Sequence, residues 1–150
     1  MPFASDTAIL MPVVSQADNM ELVRRWVTEG LGGNAALAVE LVAPEYIAHD
    51  AGPDDPPGPH VQREMILQMH RAFSSLKFVI DDIFADDDCV VVRDRMVGLN
   101  TGRFFGRPAT NRAVDVERIT IYRVEDRRLR ESWTAMNTFA MLQQLGLLRG

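Results

Sequence analysis

The chain has 150 residues, 47% hydrophobic and 25% charged, with a formal net charge of -5. That length and balance describe one globular domain with a core of its own, and the acidic surplus argues against nucleic acid, since phosphate binding needs a basic face. The single cysteine, Cys89, excludes an intrachain disulfide and suits the cytoplasm; no stretch approaches the roughly 20 apolar residues of a membrane span.

Residues 1–18 read as an N-terminal arm and residues 19–150 as a single domain. The first 14 residues are moderately apolar but carry no Lys or Arg ahead of their apolar part, so they make a poor signal peptide. Asn19 can cap a helix whose Leu22, Val23, Trp26 and Val27 share one face. Gly30, Gly32 and Gly33 stop it. A second helix is expected over residues 34–42, ended by Pro44. A short extended piece spans residues 46–50. The Pro- and Gly-rich stretch 51–60 is a loop. A third helix is expected over residues 61–74, with Val61, Met65, Met69, Ala72 and Phe73 as its apolar stripe.

Strands follow. Residues 77–84 and 89–99 are joined by an acidic turn, which lacks the ligand spacing of a calcium loop. A short run at 102–105 leads to a turn at 106–112. Residues 113–124 and 127–137 form a hairpin across Glu125-Asp126, and a last helical turn, 139–145, stops at Gly146. Helices first and a sheet after them predict α+β: a cone-shaped, curved antiparallel sheet packed by three N-terminal helices, with an interior cavity.

Side chains alternate along a strand, so Trp133, Ala135 and Asn137 share a face. A large ring with a polar group two steps on is expected to line an apolar pocket. His49 and Asp50 point opposite ways, so one of the two can face that pocket. Arg93 and Arg95 share a face, with Asp94 on the other. Were the arginines inward they would need a buried carboxylate, and Glu117 on the neighbouring strand could supply it; the alternative is a surface ladder. Trp26 and Trp133 suit either the core or the walls of a pocket for a flat apolar substrate, with Tyr46, Met69 and Phe73 as further candidate walls. Three scattered histidines make no metal motif, and no Gly-rich phosphate loop stands in the required strand-loop-helix context.

The order of these elements resembles the SnoaL-like polyketide cyclases of the nuclear-transport-factor-two-like superfamily. The likeness spans residues 19–147. It is carried by Asn19 with Leu22-Val23-Arg24-Arg25-Trp26, by Tyr46-Ile47-Ala48-His49, and by Gly98-Leu99-Asn100-Thr101-Gly102. Gly106-Arg107-Pro108-Ala109-Thr110-Asn111-Arg112, Glu131-Ser132-Trp133 and Gln143-Gln144-Leu145-Gly146 complete it. The resemblance favours His49 over Asp50 as the inward residue. It also implies an Asp, four residues after the strand Trp, as general acid/base. Here Asn137 stands at that position, and Asn100 replaces the His of the family's Gly-Thr-His turn. An amide binds oxygens but does not exchange protons near neutral pH.

The expected function is therefore a cyclase or isomerase of polyketide-type metabolism that works without a cofactor or metal. It would orient a small apolar, even polycyclic, substrate. Asn100 and Asn137 would hold carbonyl or enolate oxygens, and His49 or Glu117 would move the proton, with Arg93 and Arg95 beside them. A homodimer through the sheet is expected. Two alternatives stand: an epoxide hydrolase resembling the limonene-epoxide-hydrolase group, which uses an Asp-Arg-Asp set, and a non-catalytic carrier of a small apolar molecule.

Overall fold

A computed structural model describes residues 15–52 and 54–148. The expected arm lies outside the described residues as far as residue 14. Helix α1 (Gln16–Arg25) starts at a Ser15 cap, earlier than Asn19. Ser15 Oγ accepts from the Asp18 N–H at 3.1 Å, and Asp18 Oδ2 accepts from the Ser15 N–H at 3.1 Å. This reciprocal box satisfies two otherwise orphaned donors. Asn19 sits inside the helix and is buried.

The helix runs on into one wider turn, Trp26–Gly30. A Cβ at Gly30 would lie 2.7 Å from Cε3 of Trp26. Only glycine lets that indole fold back along its own helix, and this sets where the ring points.

Helix α2 is short (Leu37–Leu41), and strand β1 (Val42–Ala48) follows it directly. Pro44 does not end a helix here: it lies within β1, tolerated because β1 is an edge strand. Helix α3 (Pro59–Ala72) passes straight into β2 (Phe73–Asp86). Strands β3 (Cys89–Asn100), β4 (Ala113–Glu125) and β5 (Arg128–Met136) follow, and α4 (Thr138–Gln144) closes the described fold. The short run expected near Gly102 is a single bridge, Phe104 with Arg107.

The sheet has five strands in the order β1-β5-β4-β3-β2. It is mixed, since β1 pairs in parallel with β5 while the other pairs are antiparallel. The purely antiparallel sheet expected from sequence is thus corrected at one edge. Irregularities in β1, β2 and β5 interrupt the ladder, and bulges of this kind bend a sheet. The result is curved and unclosed, with the helices on its concave side.

Burial alternates strictly along β3. Val90, Val92, Asp94 and Met96 face the helices, with Val114, Val116, Tyr122 and Val124 of β4 beside them. The core lies between this face and Val23, Trp26, Val27, Leu37, Leu41 and Ile66. At roughly 1.5–3 kcal/mol per fully buried large apolar side chain, this layer supplies the main drive to fold.

Candidate active site

The concave face and the helices enclose a cavity of about 790 Å³, within the usual range for small-molecule sites. Its walls are mainly apolar. Trp26 comes from the wider turn after α1, Met65 and Met69 from α3, Phe78 from β2, Met96 from β3 and Met141 from α4. Phe104 and Phe105, from the loop after β3, also line it. Polar groups come from β1, β4 and β5 (Tyr46, Arg118, Tyr122, Ser132 and Thr134) and from α3 (His60, Gln62, Glu64 and Gln68).

Arg118 lies directly across the ladder from Asp94. Its Nε donates to Asp94 Oδ1 at 2.8 Å and its Nη2 to Oδ2 at 2.9 Å. The Asp94 side chain is 0% exposed and that of Arg118 13%. Burial is the largest single influence and works against the guanidinium charge, but the hydrogen bonds to Asp94 together with the electrostatic influence of Tyr122, Asp94 and Asp50 raise the pKa above its ordinary value. The guanidinium carbon lies over Phe78, 4.6 Å from the ring centroid, a favourable cation–π arrangement.

Two tyrosines frame this pair. The hydroxyl of Tyr46 is hydrogen-bonded to Ser132 Oγ, and burial raises its pKa. Burial also pushes Tyr122 up to about 12, with Arg118 pulling the other way. Both therefore stay neutral hydroxyls at physiological pH: donors, not bases. Asp50 lines the cavity, and its charge is felt by Tyr46, Arg118 and Tyr122. The Asp55 carboxylate is partly spent on the loop, with Oδ2 accepting from the Gly52 N–H at 2.8 Å.

Of the residues expected from sequence, Trp26, Tyr46 and Met69 line the cavity. Phe73 packs in the core, edge-on to Phe104 with ring centroids 5.0 Å apart. The others lie elsewhere. Trp133, Arg93, Arg95 and Glu117 occupy the outer face of the sheet, so the pocket-facing placement of Trp133 is reversed and, of the two alternatives for the arginines and Glu117, the inward one is set aside. Arg93 bonds Asp82 at 2.8 Å and Glu117 at 3.3 Å, and Arg95 bonds Asp81 and Asp115. This is the surface ladder, and the inward strand pair is Arg118–Asp94.

His49 also faces outward. Its ring stacks on Trp133 with centroids 4.8 Å apart and planes 7° from parallel, and Nε2 meets Glu131 at 2.8 Å. It borders a smaller recess of about 320 Å³ under the Pro-rich loop. Asp50, the next residue, turns into the main cavity, which reverses the choice that the resemblance favoured.

Asn137 caps α4, its Oδ1 accepting from the Ala140 N–H at 3.1 Å. Asn100 is a buried clamp. Its Nδ2 donates to the carbonyls of Ala72 and Gly102 at 2.9 and 3.0 Å. Its Oδ1 accepts from Thr110 N and Oγ1 at 2.8 and 3.0 Å. Neither asparagine lines the cavity. Asp94, Arg118, Tyr122, Ser132 and Thr134 had no role in the sequence reading. The one signal for them was the opposite-charge pair Asp94 and Arg118, each on the strand face set aside there.

Among the described residues no helix is long and apolar enough to cross a membrane. A family model described as SnoaL-like polyketide cyclase matches residues 21–145. Among solved structures, TsrD from Streptomyces laurentii is similar with a TM-score of 0.77 and 25% identity, over 92% of this chain and 99% of that one. IdmH from Streptomyces antibioticus, described as a candidate polyketide cyclase, is similar with a TM-score of 0.73 and 25% identity, over 85% and 98%. A candidate SnoaL-like polyketide cyclase from Jannaschia sp. CCS1 gives a TM-score of 0.78 at 23% identity, over 93% and 99%, a likeness of fold alone. No curated protein matches the chain in sequence.

Proposed function

The chain belongs to the SnoaL-like polyketide cyclase family, and on that premise we propose that it is a cyclase or isomerase of a polyketide-type or other apolar intermediate, working without a cofactor. The observation that carries this reading is the Asp50 carboxylate opening onto an apolar cavity that also holds one fixed arginine and two neutral tyrosines. Asp50 takes the place that the sequence assigned to His49 or Glu117: it accepts a proton from an acidic carbon of the substrate and returns it after the ring closes or the double bond moves. The cavity walls hold the chain folded for that step. Orientation of this kind can contribute roughly 7–11 kcal/mol in the best cases.

The test is native mass spectrometry of the purified protein against a small-molecule extract of its producing cells, with chemical analysis of what is released. A ligand recovered as a cyclised or shifted isomer, formed by the wild type and not by Asp50→Asn, supports the reading. A ligand released unchanged after prolonged incubation overturns it in favour of a carrier.

An epoxide hydrolase is the second reading, favoured by one observation: Arg118 is held by Asp94 and also feels the charge of Asp50. Two carboxylates about one arginine resemble the Asp-Arg-Asp set of the limonene-epoxide-hydrolase group. It predicts solvent oxygen-18 in a diol product.

The reading includes a cytoplasmic homodimer through the outer sheet face. Phe84, Val91, Ile121 and Trp133 stand in register across that face. Phe84 is 58% exposed, Ile121 39% and Trp133 36%, and the ladders of Arg93 and Arg123 flank the row. Apolar centres with charged rims are typical of interfaces.

A further inference from the structure

We infer that Phe105 is the residue that closes the mouth of the cavity over an apolar ligand. This goes beyond the reaction proposed above, since it requires only that the cavity takes up an apolar molecule.

Residues 101–112 connect β3 to β4. The base of this connection is fixed. Asn100 clamps it to Ala72, Gly102 and Thr110, and the N–H groups of Thr101 and Gly102 donate to the Ala72 carbonyl at 3.1 and 3.0 Å. The tip is a tight turn. Phe104 and Arg107 exchange two backbone hydrogen bonds, each of 3.0 Å. Between them, Phe105 and Gly106 have φ values of +50° and +72°. Positive φ at both central residues is the pattern of a type I′ turn, where Asn-Gly is strongly preferred. A phenylalanine at the first of these positions is strained by its own Cβ. Phe105 is also 82% exposed, more than any other large apolar side chain among the described residues.

Two penalties therefore meet at one residue, a strained backbone and an aromatic ring in water. In the free protein the ring gains a tilted contact with Phe104, with centroids 4.4 Å apart, and stays mostly exposed. A ligand that covers it removes the second penalty and offsets the first. Strain of this kind persists where a residue is held ready for binding. The position suits a small molecule in the cavity: Phe104 and Phe105 both line it. Phe104 in turn packs edge-on against the buried Phe73. The three rings run from the core to the mouth, so rotation of one side chain on a fixed stalk is enough to close it. The arginines beside the tip have no part in this. Arg103 braces the turn, its Nη2 donating to the Gly106 carbonyl at 2.7 Å, and neither it nor Arg107 lines the cavity. A ring that closes behind the ligand must move before the ligand leaves, so its effect falls on release more than on entry.

The test uses N-phenyl-1-naphthylamine, a dye whose fluorescence rises in apolar surroundings. The probe is neutral because Asp50, Asp55 and Glu64 line the cavity, against His60 and an Arg118 already paired with Asp94. Wild type should bind the dye saturably. Phe105→Asn installs the preferred Asn-Gly turn and removes the ring. Its urea midpoint should equal or exceed that of wild type, while its dye affinity falls roughly tenfold, as expected for loss of one aromatic contact. Stopped-flow mixing should place that loss in faster release, with the entry rate unchanged. Phe105→Tyr keeps a ring and should retain the affinity and release rate of wild type. Phe139→Ala removes another exposed ring, one that does not line the cavity, and should change neither. No saturable dye binding by wild type, unchanged affinity and release in Phe105→Asn, or a comparable loss in Phe139→Ala overturns the proposal. A lower urea midpoint together with lower affinity in Phe105→Asn also overturns it, since the ring would then be supporting the fold. Failure of the cyclase reading looks different: the effect of Phe105 on dye release persists, but no isomer of any natural ligand forms.

Discussion

Asp94 and Arg118 sit opposite each other on adjacent strands, joined by hydrogen bonds of 2.8 and 2.9 Å, on the face of the sheet that is otherwise the apolar core. Two charges among Val90, Val92, Met96 and Tyr122 are tolerable only because each satisfies the other. Removing one leaves the partner charged and dry.

Asp94→Ala is therefore expected to lower folding stability by roughly 3–5 kcal/mol. The Asp94→Leu/Arg118→Met double variant is expected to recover most of that loss, since an apolar pair of similar volume needs no compensation. Urea unfolding of the three proteins measures both, and a double variant as unstable as the single one would show that the pair is not acting as a unit.

Asp50 is exposed, so Asp50→Asn should leave the unfolding midpoint within experimental error of wild type. Its turnover should fall by about 100-fold or more, the usual loss when an acid/base group is removed. His49→Ala and Glu117→Gln change the outer face, and turnover should stay near wild type in both. Steady-state rates on the ligand identified by mass spectrometry decide the matter; a large loss in either outer-face variant, with Asp50→Asn unaffected, would return the chemistry to His49 or Glu117.

Gly30→Ala places a methyl group 2.7 Å from the Trp26 ring. The indole must swing away, either into the cavity or against Tyr122. Overpacking of this kind costs about 1–3 kcal/mol. Ligand binding should weaken, and the tryptophan emission should shift even without ligand. Unchanged emission and affinity would mean that the ring is not a fixed wall.

Glu131 bears on pH. The hydrogen bond from His49 chiefly, and then that from Arg123, hold its carboxyl below the ordinary value of 4.5. A carboxyl with a depressed folded-state pKa contributes stability above its unfolded value. That contribution is lost as pH falls through the folded pKa. In Glu131→Gln, stability should be lower at neutral pH and should depend less steeply on pH below about 4.5. Unfolding midpoints across the acid range measure this; parallel curves for the two proteins would remove Glu131 from the account.

The outer face carries the last prediction. Trp133→Glu puts a charge at the β5 end of the apolar row while leaving the cavity wall intact. Sedimentation should show a dimer for wild type and a monomer for the variant. A wild-type monomer at all concentrations would leave that face without its proposed partner copy.

Element types, the family and the limits of β3, β4, β5 and α4 were legible in the sequence, whereas the limits of the earlier elements shift by two or more residues. The apolar stripe of α1 and α3 and the alternation in β3 and β4 are local periodicities, and the residues that carry them set them without reference to the rest of the chain. The family resemblance rests on the order of short segments, which is likewise a property of the chain alone. The sequence could not decide which side of the sheet was inside. Both faces of β3 carry valines. On β4 the outer face holds Ile119 and Ile121, while the inner one holds Arg118 and Thr120. On β5 the outer face holds Trp133, and the inner one Ser132 and Thr134. Although β4 also buries Val114, Val116, Tyr122 and Val124, apolar residues stand on both faces of the sheet, so hydrophobic content did not single out the inner one, and a strand read in isolation gives its two faces without naming them. Only tertiary structure resolves this. The register that sets Asp94 against Arg118 lets two charges be buried, and the helices cover the face they occupy. Burial of a charge depends on a partner from another strand, and that pairing exists only once the sheet has formed.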